Sequence, residues 1–160
     1  MFIIGEKVVY PVHGAGIIEG IEQQEVLGEN RRYYVLRLCV GDMRVLVPVD
    51  GVERVGMRRV CNEDKLNEVR LILRGSPSPW EDNWNRRYRL NMDKIKSGDI
   101  CQLAEVVRNL MRRDLLKGLS TGEKKMLDNA RKILMSEVAL AVDTELEAME
   151  EQLFASFCKI

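Results

Sequence analysis

With 160 residues the chain makes one large domain or two small ones, and 46% hydrophobic against 31% charged residues is the balance of an ordinary folded protein. No apolar run approaches the roughly 20 residues that span a bilayer, and Met1-Phe2-Ile3-Ile4-Gly5-Glu6 lacks the basic start of a secretory signal, so a cytoplasmic protein with no membrane segment is expected. The formal charge of zero is segregated: residues 1–60 hold 8 basic and 8 acidic residues, residues 61–136 hold 16 and 11, and residues 137–160 hold 1 and 6. A basic middle suits phosphates, and an acidic end could shield it or face something else.

Residues 1–57 read as β. Met1–Glu6 reads as the start of a strand, and Lys7-Val8-Val9-Tyr10-Pro11 as a short strand ended by proline. His13-Gly14-Ala15-Gly16 reads as a turn whose glycines can take positive φ, after which Ile17 to Ile21 resumes a strand. Gly28-Glu29-Asn30 signals a hairpin turn before the β-rich run Tyr33 to Leu38, and Gly41-Asp42 signals another turn. From Met43 to Val49 the side chains alternate, Val45, Val47 and Val49 to one side, Arg44, Leu46 and Pro48 to the other. Short strands at this density predict a small, strongly bent barrel of the SH3 or Tudor type, an architecture of binding modules.

Residues 61–160 read as α, so the expected class is α+β with a small barrel followed by an all-helical domain. Glu63 to Leu73 is a short helix, broken by the proline-containing loop at 76–80. A second helix is expected near 81–96, ended by Ser97-Gly98. Asp99 can cap a third that Gly118 closes, with Ile100, Leu103, Ala104, Val107, Leu110 and Met111 inward and Arg108, Arg112 and Arg113 off that stripe. Ser120-x-x-Glu123 is a capping box opening a long helix with Leu127, Ala130, Ile133, Leu134, Val138 and Ala141 on its buried face. Lys124 and Lys125 stand in its first turn, against the positive end of the helix dipole. They are either a surface kept for a partner or solvated helix lysines. A last helix is expected from Thr144 to about Phe157.

The segment Asn83-Trp84-Asn85-Arg86-Arg87-Tyr88-Arg89 sets a large apolar side chain among three cations. One reading is a wedge held by phosphate contacts; the other is a core tryptophan on a helix whose arginines face water. Arg86 and Arg89 are three apart and share a helical face, while Arg87 points away. No phosphate-binding glycine loop, nucleophile elbow or zinc-protease motif occurs. Cys39, Cys61, Cys101 and Cys158 are scattered, without a C-x-x-C pair, and His13 is the chain's one histidine. That pattern argues against a metal site and for reduced thiols. Neither enzymatic activity, a cofactor nor a small-molecule substrate is expected.

Gly5-Glu6-Lys7-Val8-Val9-Tyr10-Pro11-Val12-His13-Gly14-Ala15-Gly16 resembles the opening signature of the CarD/CdnL family of bacterial transcription regulators. Asn83-Trp84-x-Arg86-Arg87-Tyr88, Ser97-Gly98-Asp99, Ala104-Glu105-Val106-Val107-Arg108 and Gly118-Leu119-Ser120-x-Gly122-Glu123-Lys124 resemble the family's helical domain, in order and at matching spacing over about residues 1–142. The resemblance implies a Tudor-like module that docks on the β subunit of RNA polymerase holoenzyme. It also implies a helical domain that touches promoter DNA at the upstream edge of the bubble and stabilises the open complex. On that basis Trp84 is the wedge in the minor groove, Arg86, Arg89, Lys124 and Lys125 are DNA-binding residues, and Trp80 is packing. The polymerase-binding positions map to Gln24 and Leu46, where some relatives carry basic residues, with Arg44 as a neighbouring source of charge. An edge strand at 43–47 could add to a polymerase strand. The alternative is a protein–protein adaptor whose helical domain is purely structural and whose Trp84 is buried.

Overall fold

The computed structural model describes residues 1–145, together with Ala148 and Glu151, so the helix expected from Thr144 to Phe157 falls mostly outside the described residues. The N-terminal half holds β1 Lys7–Tyr10, β2 Gly14–Val26, β3 Glu29–Leu38 and β4 Arg44–Pro48, then a one-turn helix α1 Val52–Val55 and β5 Arg58–Arg59. They form one antiparallel sheet in the order β4-β3-β2-β1-β5. The β2–β3 hairpin reverses on Leu27 and Gly28, both at positive φ (53° and 81°), as a two-residue turn matched to right-handed strand twist. A register shift between Ile18 and Gly20 bends β2, and the sheet wraps a core of Val8, Ile18, Tyr34, Leu36, Leu38, Val47 and Met57.

Two expectations for the N-terminal part fail for physical reasons. Met1–Glu6 is not a strand: the chain turns there, with Gly5 at φ 91° donating its N–H to the Ile18 carbonyl. His13–Gly16 is not the turn either. The reversal falls on Pro11–His13, with Val12 at φ 74°, and Gly14 and Gly16 already belong to β2. A Cβ on Gly16 would collide with the carbonyl oxygen of Arg37 on β3, and one on Gly14 would lie 3.1 Å from Ser136 Oγ. Both glycines permit close backbone approach within a strand.

The C-terminal half is α2 Glu63–Arg74, α3 Trp84–Lys96, α4 Ile100–Leu116 and α5 Thr121–Ala141. Each helix starts on a side-chain oxygen that accepts a first-turn N–H: Asn62 from Lys65, Asn83 from Arg86, Asp99 from Cys101 and Ser120 from Glu123. Their apolar stripes meet in one core that includes Leu66, Val69, Leu103, Val107, Leu110, Ala130, Leu134 and Val138. The α+β class read from the sequence is therefore the one observed. Among the described residues no helix is long and apolar enough to cross a membrane.

Helix α5 joins the two halves. Ser136 Oγ accepts the Ala15 N–H at 2.9 Å, and Lys7 Nζ reaches the Leu140 carbonyl at 3.0 Å. Arg58 on β5 donates to both oxygens of Glu137 at 2.7 and 2.8 Å and, through Nε, to the Gly98 carbonyl at 2.8 Å. Pro11 lies against the glycines at 56 and 98, both at φ 76°.

Candidate nucleic-acid interface

The site is built from the loop before α3. Arg108, expected off the buried stripe of α4, is buried instead: its guanidinium donates to Asn109 Oδ1 (3.1 Å), to the Ile72 carbonyl (3.2 Å) and to Ser78 Oγ (3.0 Å). Asn109 in turn accepts the Ser78 N–H at 3.0 Å. The donors and acceptors freed by the prolines are thus met by α4 side chains, and the loop is tied down. Trp80 at its end lies under two cations, with Arg113 Cζ 4.7 Å and Arg87 Cζ 5.8 Å from the ring centroid.

Arg87, which the helical spacing turned away from Arg86 and Arg89, is 6% exposed and forms a two-pronged pair with Glu123 on α5 at 2.9 and 3.1 Å. Its third bond goes to the Glu81 carbonyl at 3.0 Å. Burial works against an ionised Glu123, but the bonds and charge of Arg87, with the Ser120 hydroxyl, outweigh it and hold the carboxyl below the ordinary carboxylate value. The Arg87 guanidinium is shifted up by the same bonds, against its own burial.

Trp84 opens α3 and is 41% exposed. Its Nε1–H donates to Ser120 Oγ at 3.0 Å, and its ring stacks on Tyr88 one turn later, with centroids 5.1 Å apart and planes at 22°. A Cβ on Gly122 would lie 3.5 Å from Trp84 Cζ2 and 4.0 Å from Cη2. The nitrogen-bearing edge of the indole therefore rests on the first turn of α5, one face rests on Tyr88, and the rest of the ring meets solvent.

The expected cations lie on the same two elements, α3 and the start of α5. Arg86 is exposed, and its guanidinium pairs with Glu81 at 3.4 Å. Arg89, Lys124 and Lys125 are exposed, and no ion pair holds them among the described residues. Lys124 lies four residues past Ser120, one turn along the same side of α5. Of the five residues expected at DNA, Trp84 and Arg89 line one shallow cleft on α3, Arg86 is exposed on the same helix, and Lys124 and Lys125 are exposed at the start of α5, on which the Trp84 ring rests. Sequence reasoning missed the seat itself. Ser120-x-x-Glu123 was legible as a helix start, but nothing local said that Ser120 would also hold an indole or that Glu123 would turn to Arg87.

The other three expected residues lie on the sheet. Glu22 and Gln24 alternate onto one face of β2, Arg44 and Leu46 onto one face of β4, and an Arg44–Glu22 ion pair places the two faces on the same side. Leu46 is 36% exposed, and β4 is an edge strand. The charge of Arg44 is engaged by Glu22.

No group of three His, Cys, Asp or Glu side chains that could hold a metal occurs among the described residues. Cys39, Cys61 and Cys101 are free thiols.

The chain matches two family models, the CarD-like/TRCF RID domain over residues 2–61 and the CarD C-terminal domain over residues 68–154. YdeB of Bacillus subtilis (strain 168), named as a candidate transcription factor, is 45% identical over 138 residues, covering 86% of this chain and 90% of its own. Two solved structures from Myxococcus xanthus align with the sheet portion. The 72-residue N-terminal domain of CarD, solved by NMR, is 29% identical over 37% of this chain and 79% of its own, with a TM-score of 0.32. CdnLNt is 41% identical over 39% of this chain and 89% of its own, with a TM-score of 0.34. With both halves matched in order and a relative of nearly full coverage, the chain belongs to the CarD family of transcription factors linked to RNA polymerase.

Proposed function

We propose that this protein docks on the β subunit of RNA polymerase through the exposed face and edge of its sheet, and sets Trp84 into the minor groove at the upstream edge of the promoter bubble. There the ring occupies space that re-pairing bases need, so the open complex lives longer. The observation that carries this reading is the pose of Trp84, a large aromatic side chain at 41% exposure, pinned on two sides, with Arg89 beside it and Lys124 and Lys125 exposed at the start of the helix it rests on, none of the three in an ion pair among the described residues. Phosphate contacts from those cations and from Arg86 would fix position without reading sequence, and an inserted apolar side chain exploits steps that are already unstacked. With so few cations, binding to DNA alone is weak and falls steeply with salt. Occupancy at promoters then comes from the polymerase contact, which uses Leu46, Gln24 and the free edge of β4, with Arg44 beside them.

The adaptor alternative needs Trp84 inside the core, and its exposure favours the first reading. The test is the lifetime of open complexes of polymerase holoenzyme on a ribosomal-RNA-type promoter after competitor challenge. The conditions compared are no factor, the wild-type factor and Trp84→Ala with an unchanged thermal transition. Lengthening by wild type that the folded variant loses is the expected result. A wild-type factor that binds polymerase but leaves the lifetime unchanged would sink the proposal and favour the adaptor.

A further inference from the structure

We propose that Ser120 is the positioning residue of the tryptophan wedge, an inference that rests on the function proposed above. Its hydroxyl has three partners. It accepts the Trp84 Nε1–H at 3.0 Å and the Glu123 backbone N–H at 3.2 Å, and it donates its own proton to Glu123 Oε1 at 3.2 Å. That last bond fixes the direction of the hydroxyl, because Glu123 is 2% exposed and held by the two prongs of Arg87. With the proton committed to the carboxylate, the oxygen's lone pairs face the indole and the helix start. A free serine would rotate to suit any neighbour; this one is locked as an acceptor.

The consequence reaches the part of the ring that DNA meets. The edge carrying Nε1, Cζ2 and Cη2 is turned onto Ser120 and Gly122, and one face is covered by Tyr88. The solvent side of the indole is hydrocarbon, and its one polar atom is already satisfied. Ordering of the side chain is settled on folding rather than at the promoter, which favours binding by preorganisation. Glu123 and Arg87 act through Ser120, and their buried pair ties the wedge to the junction of α3 with the first turn of α5.

Ser120 is also the N-cap of α5, so the test must separate capping from positioning. Glycine caps nearly as well as serine but has no hydroxyl, and threonine keeps the hydroxyl. Saturated open-complex lifetime, the concentration of factor at half effect and the Trp84 indole N–H resonance are measured for wild type, Ser120→Gly, Ser120→Thr and Trp84→Ala. Ser120→Gly is expected to shorten the saturated lifetime about 2- to 10-fold, the worth of one net hydrogen bond. The half-effect concentration should change less than the lifetime, and the indole N–H should exchange faster with solvent. Ser120→Thr should restore the lifetime and the slow exchange. A folded Ser120→Gly with a wild-type lifetime, while Trp84→Ala loses it, overturns the positioning role and leaves the wedge standing. A folded Trp84→Ala with a wild-type lifetime overturns the wedge and this inference with it.

Discussion

Arg58 and Glu137 lie 79 residues apart and meet in a two-pronged ion pair that joins the last strand of the sheet to the last long helix. Glu137 also accepts the Cys61 N–H at 2.8 Å, and its side chain is 2% exposed, against 33% for Arg58. A carboxylate this deep is stable only because all its bonds are met, and the same bonds fix the sheet against the helices. Under the proposed function, in which one molecule holds both polymerase and DNA, that fixed geometry is a gain, because the second contact then forms within one complex.

Removing one partner should therefore cost far more than removing both. Glu137→Ala leaves Arg58 and the Cys61 N–H without their acceptor, and an expected loss of about 2–4 kcal/mol follows, reduced from the fully buried case because Arg58 is one-third exposed. The double variant Arg58→Met with Glu137→Leu should recover at least half of it. Urea unfolding of the two single variants and the double variant closes the cycle; additive losses would show that the pair is not coupled.

Gly16→Ala should destabilise the sheet by about 2 kcal/mol or more, through overpacking against backbone. Its added Cβ would strike the Arg37 carbonyl, which is backbone, and come to 3.0 Å from Cδ1 of the fully buried Leu36. Gly20→Ala is the control, since nothing lies within 4 Å of its Cβ position. Equal thermal transitions for the two variants would contradict the close approach of β2 and β3.

The same glycines show how far the sequence could be read. Local signals placed the four long helices well, because Asp99 and Ser120 cap where side-chain oxygens precede apolar stripes, whereas the hairpin expected at Gly28-Glu29-Asn30 turns one residue earlier, on Leu27 and Gly28, with Glu29 and Asn30 already paired in β3. What failed was set by distant neighbours. Gly14 and Gly16 look like a turn until α5 and β3 pass over them. Glu137 sits at the head of the acidic end of the chain, yet it is 1% exposed because Arg58 finds it. Arg108 reads as a surface residue until the proline loop needs donors. At the site, the turning of Arg87 away from Arg86 and Arg89 followed helical spacing, whereas the spacing left Trp84 open between wedge and core, and its bond to Ser120 spans 36 residues and left no local trace.

Cys61 should resist alkylation in the native protein. Burial, and after it the charge of Glu137, push its thiol up to about 12, so roughly one molecule in ten thousand carries the thiolate at pH 8. Cys101 is pushed to about 11, by burial first and then by its bond to Glu68. Iodoacetamide labelling followed by mass mapping should find Cys61 slower than Cys101 in buffer and the two alike in denaturant. Rapid native labelling of Cys61 would mean that β5 and Glu137 do not pack as described.

The Glu123–Arg87 pair gives the fold a defined acid sensitivity. The folded pKa of Glu123 lies below its ordinary 4.5, so the charged form is favoured on folding. Its contribution is complete above pH 4.5 and is lost as the pH falls through the lower folded value. Glu123→Gln keeps the size of the side chain and removes the charge. At pH 7 the variant should be less stable than wild type, because Arg87 is left buried without its counter-ion. As the pH falls below 4.5 it should lose less stability than wild type does, since one linked proton is gone. Glu6, also depressed through its bonds to the Ile3 backbone and to Arg59, keeps some slope in both proteins. Parallel pH profiles of the two unfolding free energies would show that Glu123 is not the depressed carboxylate, and the hydroxyl of Ser120 would then have no fixed acceptor.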